Sequence, residues 1–103
     1  MAINFEQSCP LCDELADYCW VDRGNVKYFD CPSCGMFQIS RRAESLLLTE
    51  LQTRKPSYAA MAHETPDGHL LLICMPPHEF RQQSGDRLQA RFTPKAELDL
   101  TCQ

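Results

Sequence analysis

The sequence predicts an α+β fold: a small metal-held β-hairpin unit, then a helix, then a second small β element. Three observations predict it. Two Cys-Pro-x-Cys pairs, Cys9-Pro10-Leu11-Cys12 and Cys31-Pro32-Ser33-Cys34, bracket a stretch rich in aromatic and β-branched residues. An amphipathic pattern of helical period follows over residues 41–54. A short apolar run, Leu70-Leu71-Leu72-Ile73-Cys74-Met75, then reads as a buried strand. At 103 residues the chain is assigned to a single domain, divided as 7–40, 41–55 and 56–103.

Within the first part, Asp17-Tyr18-Cys19-Trp20-Val21-Asp22 and Val26-Lys27-Tyr28-Phe29-Asp30 are the expected strands, and Arg23-Gly24-Asn25 is the turn between them. The second strand runs directly into Cys31. Eighteen residues separate Cys12 from Cys31, giving C-x2-C-x18-C-x2-C. Two cysteines three apart in a tight turn present both sulfurs to one side of a metal, and a hairpin brings the second pair to the other side. Zinc takes such a tetrahedron of thiolates. The residue after each pair needs a left-handed conformation, which Gly35 adopts easily and Asp13 less so. The competing readings are an iron site of four thiolates and a redox-active Cys-Pro-x-Cys. The second pair at this spacing argues against the redox reading.

On Cys9, Cys12, Cys31, Cys34 and Gly35 the chain resembles the zinc-ribbon family, over roughly residues 7–40. The resemblance implies one structural zinc ion per chain held by the four cysteines. For function it implies little, because ribbons serve transcription factors, ribosomal proteins, polymerase subunits and many add-on modules.

Met36-Phe37-Gln38-Ile39 reads as a third strand and Ser40 as the N-cap of the helix. Ala43 at N3 leaves the capping box incomplete. Ala43, Leu47 and Leu51, widened by Leu46 and Leu48, form its apolar stripe, and Lys55-Pro56 is read as its end. Beyond it, residues 57–63 read as a short helix or a strand, and the turn Thr65-Pro66-Asp67-Gly68 favours the strand, with residues 58–63 pairing to residues 69–75 as a hairpin. Residues 82–86 read as a loop, residues 88–92 as an exposed strand, and Thr93-Pro94 as the cap of a last short helix over residues 95–100.

The seven cysteines include three outside the pairs. Cys74 is assigned to the core and Cys19 to one strand face as a small apolar residue, while Cys102 has no assignment. His63, His69 and His78 show no ligand spacing: His69 and His78 read as surface or boundary residues, and His63-Glu64 lacks the second histidine of a zinc-protease helix. The segment Met1-Ala2-Ile3-Asn4-Phe5-Glu6 lacks the basic start of a signal peptide, and the longest apolar run, residues 70–77, is far short of a membrane span. The expectation is therefore a cytoplasmic protein in a reducing compartment, where close cysteines are metal ligands.

Charge and motif content bear on function. Residues 1–34 carry a net −4, residues 35–55 a net +2 and residues 56–103 a net −2. With a pI near 5.2, and four thiolates on one zinc adding a further −2, strong binding to a phosphate backbone is disfavoured. No nucleophile elbow, phosphate loop or dinucleotide fingerprint is present, so no enzymatic activity is expected. The leading expectation is a non-catalytic module that binds a partner protein, as an adaptor, inhibitor or small subunit. Tyr18, Trp20 and Tyr28 are its candidate anchors, joined by Arg41 and Arg42, whose place in the first helical turn opposes the helix dipole. The alternative is a nucleic-acid-binding or transcription-regulatory ribbon using Arg41, Arg42, Arg54 and Lys55 on phosphates. The sequence leaves the oligomeric state open.

Overall fold

A computed structural model describes residues 4–75 and 88–102. Its sheet has six strands in sequence order: β1 (Phe5–Ser8), β2 (Leu15–Val21), β3 (Val26–Cys31), β4 (Gly35–Ser40), β5 (His69–Cys74) and β6 (Gln89–Pro94). All neighbours are antiparallel except β4 and β5, which run parallel. Parallel strands need a crossover. Here it is supplied by α1 (Arg41–Thr49), a short 3-10 turn over Gln52–Arg54, and α2 (Lys55–His63). The class is α+β, as expected.

Register decides which residues share a face, because side chains alternate along a strand. Phe5, Tyr18, Phe29, Phe37, Leu71 and Phe92 are partnered one to the next across all six strands. The aromatic members touch: ring centroids are 5.5 Å apart for Phe5–Tyr18, 5.2 Å for Tyr18–Phe29 and 5.1 Å for Phe29–Phe37. Phe29, Phe37, Ile39, Leu71 and Ile73 are fully buried on this face, where Ala43, Leu46 and Leu47 of α1 and Tyr58 and Ala62 of α2 cover them.

Two expectations for the helical region need correction. The single helix over residues 41–54 ends at Thr49, and Pro56 sits in the first turn of α2 rather than stopping a helix. Proline lacks an N–H that the first turn does not use, so a residue that breaks the interior of a helix is well placed at the start of one. The expected hairpin between residues 58–63 and 69–75 does not form. Residues 58–63 are helical, with Tyr58 and Ala62 one turn apart and packed inward. The turn at Thr65-Pro66-Asp67-Gly68 is present, with Gly68 at φ +77°, but it leads out of a helix. Strand β5 pairs instead with β4 and β6. The second β element is thus an extension of the sheet that carries the cysteine pairs.

Ser40 caps α1 as expected, accepting a hydrogen bond from the Ala43 N–H at 3.2 Å. Its change to Ala is expected to cost about 1 kcal/mol. Urea unfolding measures that loss, and the metal content should stay the same.

The opposite face is crossed by the chain's last segment. After β6 comes one 3-10 turn, Lys95–Glu97, in place of the helix expected over residues 95–100. The Asp99 carbonyl accepts from the Gln38 amide at 3.0 Å, and its carboxylate accepts from the Asp22 N–H at 3.1 Å. Gln38 is 2% exposed, so this bond satisfies a buried amide. Cys102 is then disulfide-bonded to Cys19, 83 residues away. Cys19 is therefore more than a small apolar filler, and Cys102 has its partner. Cys74 lies at the end of β5, half-buried and outside the central cluster. The loop reading at residues 82–86 and His78 lie outside the described residues.

Candidate metal centre and the Trp20 corner

Each Cys-Pro-x-Cys is a tight turn at the same end of the sheet, one entering β2 and the other joining β3 to β4. In the first, the Asp13 N–H donates to the Cys9 carbonyl at 2.9 Å and the Cys9 N–H to the Glu14 carbonyl at 2.6 Å. Asp13 and Gly35, the residues after the two pairs, take φ of +66° and +87°, the left-handed conformations the motif requires. In each turn a backbone N–H points at the first sulfur: Leu11 to Cys9 and Cys34 to Cys31, both at 3.4 Å.

The four Sγ atoms lie within 4.8 Å of one another, and Cys12 and Cys31 sulfurs are 3.4 Å apart. A zinc–sulfur distance of about 2.3 Å puts the sulfurs of a regular tetrahedron about 3.8 Å from each other. The donor set therefore fits a four-coordinate thiophilic ion. His63 is exposed at the end of α2, and His69 turns its Nδ1 to the Asp67 carbonyl at 3.0 Å; neither belongs to the cluster.

Electrostatics support the same reading. Without a metal, burial pushes the Cys9 thiol up to about 12 against the N–H donors of Leu11 and Cys12. Burial likewise raises Cys34, with the neighbouring sulfurs adding to it. Cys31 is held below its ordinary value: burial works to raise it, but the N–H groups of Cys34 and Ser33 and the thiols of Cys12 and Cys9 together outweigh that. Crowded thiols cannot all ionise side by side. A divalent cation at their centre reverses that balance, because a coordinating thiol is deprotonated outright.

The candidate partner-binding residues divide between the faces. Tyr18 and Trp20 share the helix-covered face, edge to face at 5.9 Å. Tyr28 lies on the other face, opposite Cys19, with its hydroxyl 4.0 Å from the Met36 sulfur. Burial, seconded by Asp30, raises its phenol pKa. Arg41 joins Trp20, its guanidinium 5.6 Å from the indole. Arg42 is exposed beside it on α1. Lys55 is at the other end of the sheet, bound to the Asp13 carboxylate at 2.8 Å beside the first cysteine turn. The basic residues proposed for phosphate contact thus do not gather on one patch.

Two cations missed by the sequence reading complete the Trp20 corner. Lys27 lies 4.6 Å from the Tyr18 ring and 5.2 Å from that of Trp20. It also binds the buried Glu44 at 2.9 Å and the Gln7 amide oxygen at 2.6 Å, and Gln7 donates to Glu44 at 2.7 Å. Arg23 stands in the β2–β3 turn and lines an open depression of about 410 Å³ with Trp20, Gly24 and Arg41. An adjoining one of about 360 Å³ is lined by Trp20, Lys27, Arg41, Glu44, Ser45 and Leu48. Alternation along β2 was enough to put Trp20 with Tyr18; the placing of Lys27 needed the hairpin register.

No protein-family model, curated protein or solved structure matches the chain. Among the described residues, no helix is long and apolar enough to cross a membrane.

Proposed function

We propose that the chain is a non-catalytic, zinc-stabilised module that binds a partner protein through the Trp20 corner. The observation that carries this reading is the half-buried Trp20, stacked with cations and opening onto two adjoining depressions. Trp and Arg are the residues that dominate binding energy at protein interfaces. Leu48, 38% exposed, adds apolar area on the α1 side. Zinc is the metal of choice for four closed thiolate ligands, and it would serve here as a structural clamp on the end of the sheet away from the corner.

The nucleic-acid reading shares the aromatic and the cations, since bases stack on indole and phosphates pair with Arg. Against it stands the net charge of −4 before zinc is counted. One experiment separates the two. The chain is cross-linked in extract of its native cell, treated or untreated with nuclease, beside Trp20→Ala. A discrete protein adduct that survives nuclease, and that falls about tenfold or more in the variant, is expected for an anchor of this kind. An adduct unchanged by Trp20→Ala, in a variant of unchanged zinc content and melting temperature, overturns the proposal.

A further inference from the structure

We infer that the Trp20 corner takes an acidic segment of its partner protein, with carboxylates on Arg23 and Arg41 and an apolar side chain between them on Trp20 and Leu48. This rests on the proposed interaction module and adds the chemistry of what it binds.

The backbone supplies the first argument. Asp22, Arg23 and Gly24 are consecutive residues at φ +48°, +57° and +81°. Two of them carry side chains, and each such conformation costs on the order of 1–3 kcal/mol. The turn is nonetheless well fixed: Asn25 donates to the Asp22 carbonyl at 3.0 Å, and Arg41 donates its N–H to the Asn25 carbonyl at 3.0 Å. That last bond ties the start of α1 to the turn and sets Arg23 and Arg41 on one depression around the indole.

Charge supplies the second. Lys27 is neutralised by Glu44, its side chain only 13% exposed. Arg23, Arg41 and Arg42 are exposed, and among the described residues none of the three has a carboxylate partner. Arg41 and Arg42 also sit where the α1 dipole is positive, so the fold concentrates uncompensated positive charge beside Trp20. Of the carboxylates nearest the corner, Glu44 is paired with Lys27, and that of Asp99 accepts from the Asp22 N–H of the turn; Glu6, Asp17 and Asp30 oppose one another across β1, β2 and β3 on the other face. A chain that is acidic overall thus keeps one cationic, aromatic corner.

The ligand matching this corner has negative groups on both sides of an apolar one. A polynucleotide offers negative charge as well, but it meets the repulsion of the whole acidic chain along its length. A short acidic segment with an apolar residue at its centre meets only the corner.

Trp20 is the chain's single tryptophan and reports directly on its own site. The probes are a short peptide of alternating Glu and Leu, its Lys-for-Glu counterpart, and a short oligothymidylate, each titrated into the full zinc-loaded, disulfide-intact chain. The Glu peptide is expected to change Trp20 emission saturably and to weaken with salt. The double variant Arg23→Gln, Arg41→Gln should weaken it about tenfold or more, as loss of charge-paired contacts does. Tighter binding of the Lys peptide or of oligothymidylate overturns the inference, as does an unchanged titration in the double variant. Cross-linking separates this from the parent reading. An adduct lost in Trp20→Ala but intact in the double variant removes the acidic partner and keeps the module; an adduct intact in both removes both.

Discussion

Serine in place of Cys34 is expected to leave the chain without zinc and without a cooperative thermal transition. Cys9 to Ser should do the same. A structural zinc contributes on the order of 10 kcal/mol or more to the fold that holds it. A small domain's whole margin is about 5–15 kcal/mol. Cys9, Cys31 and Cys34 also lie in the same buried cluster as Phe29, Phe37 and Ile39, so their loss reaches the centre of the sheet. A hydroxyl at either position replaces a ligand with a buried polar group that lacks a partner. Elemental analysis of the anaerobically purified chain should find about one zinc per chain, as a closed tetrahedral site requires. Zero zinc in that sample defeats the reading of the site, and so does a Cys34→Ser chain that melts as the parent does.

The second large effect is expected at Cys102. Its bond to Cys19 closes a loop of 83 residues. In the chain-entropy account, opening such a loop removes about 4–5 kcal/mol by enlarging the unfolded ensemble. The Cys102→Ser chain should therefore unfold at markedly lower urea while keeping its zinc, because Asp99 still holds the segment to Gln38 and Asp22. An unchanged unfolding midpoint overturns the prediction. The bond also bears on where the chain works. Disulfides persist in oxidising surroundings, whereas the cysteine pairs had suggested a reducing compartment. Alkylation of the chain taken directly from its native cell decides between them, since an intact bond shields two cysteines and a reduced one shields neither.

What was legible in the sequence was what depends on neighbours in the chain. The ligand spacing, the left-handed residues after each pair, the Trp20 strand and the Ser40 cap all follow from a few consecutive residues. The rest depends on partners that spacing does not reveal. Strand β1 is four residues long and mostly polar, so its only strong signal was Phe5, whose place is fixed by Tyr18 across the ladder. Helix α2 was open as one of two readings, and Pro56 did not decide between them because it carries the same local signal at a helix start as after a helix end. With the strand reading preferred there, β5 had no route to β4, and a local hairpin was the simpler choice. The Cys19–Cys102 bond was illegible because 83 residues of chain separate its ends. At the candidate corner, Trp20 and Arg41 were visible as residue types. Arg23 and Lys27 joined them only through the turn and register of the hairpin, and the same register sent Tyr28 to the opposite face.

The parallel pairing of β4 with β5 sets a limit on modularity. Phe37, Gln38 and Ile39 of β4 are all buried, and each is matched in register to Leu71, Leu72 or Ile73. Cutting the chain after α1 would strip that row of its neighbour and leave an apolar strand edge open to pairing with other molecules. The metal-binding part is thus unsuited to transplantation as a free-standing cassette. Any recombination that moves the cysteine pairs to a new context must carry β5, or supply another strand that pairs in the same direction.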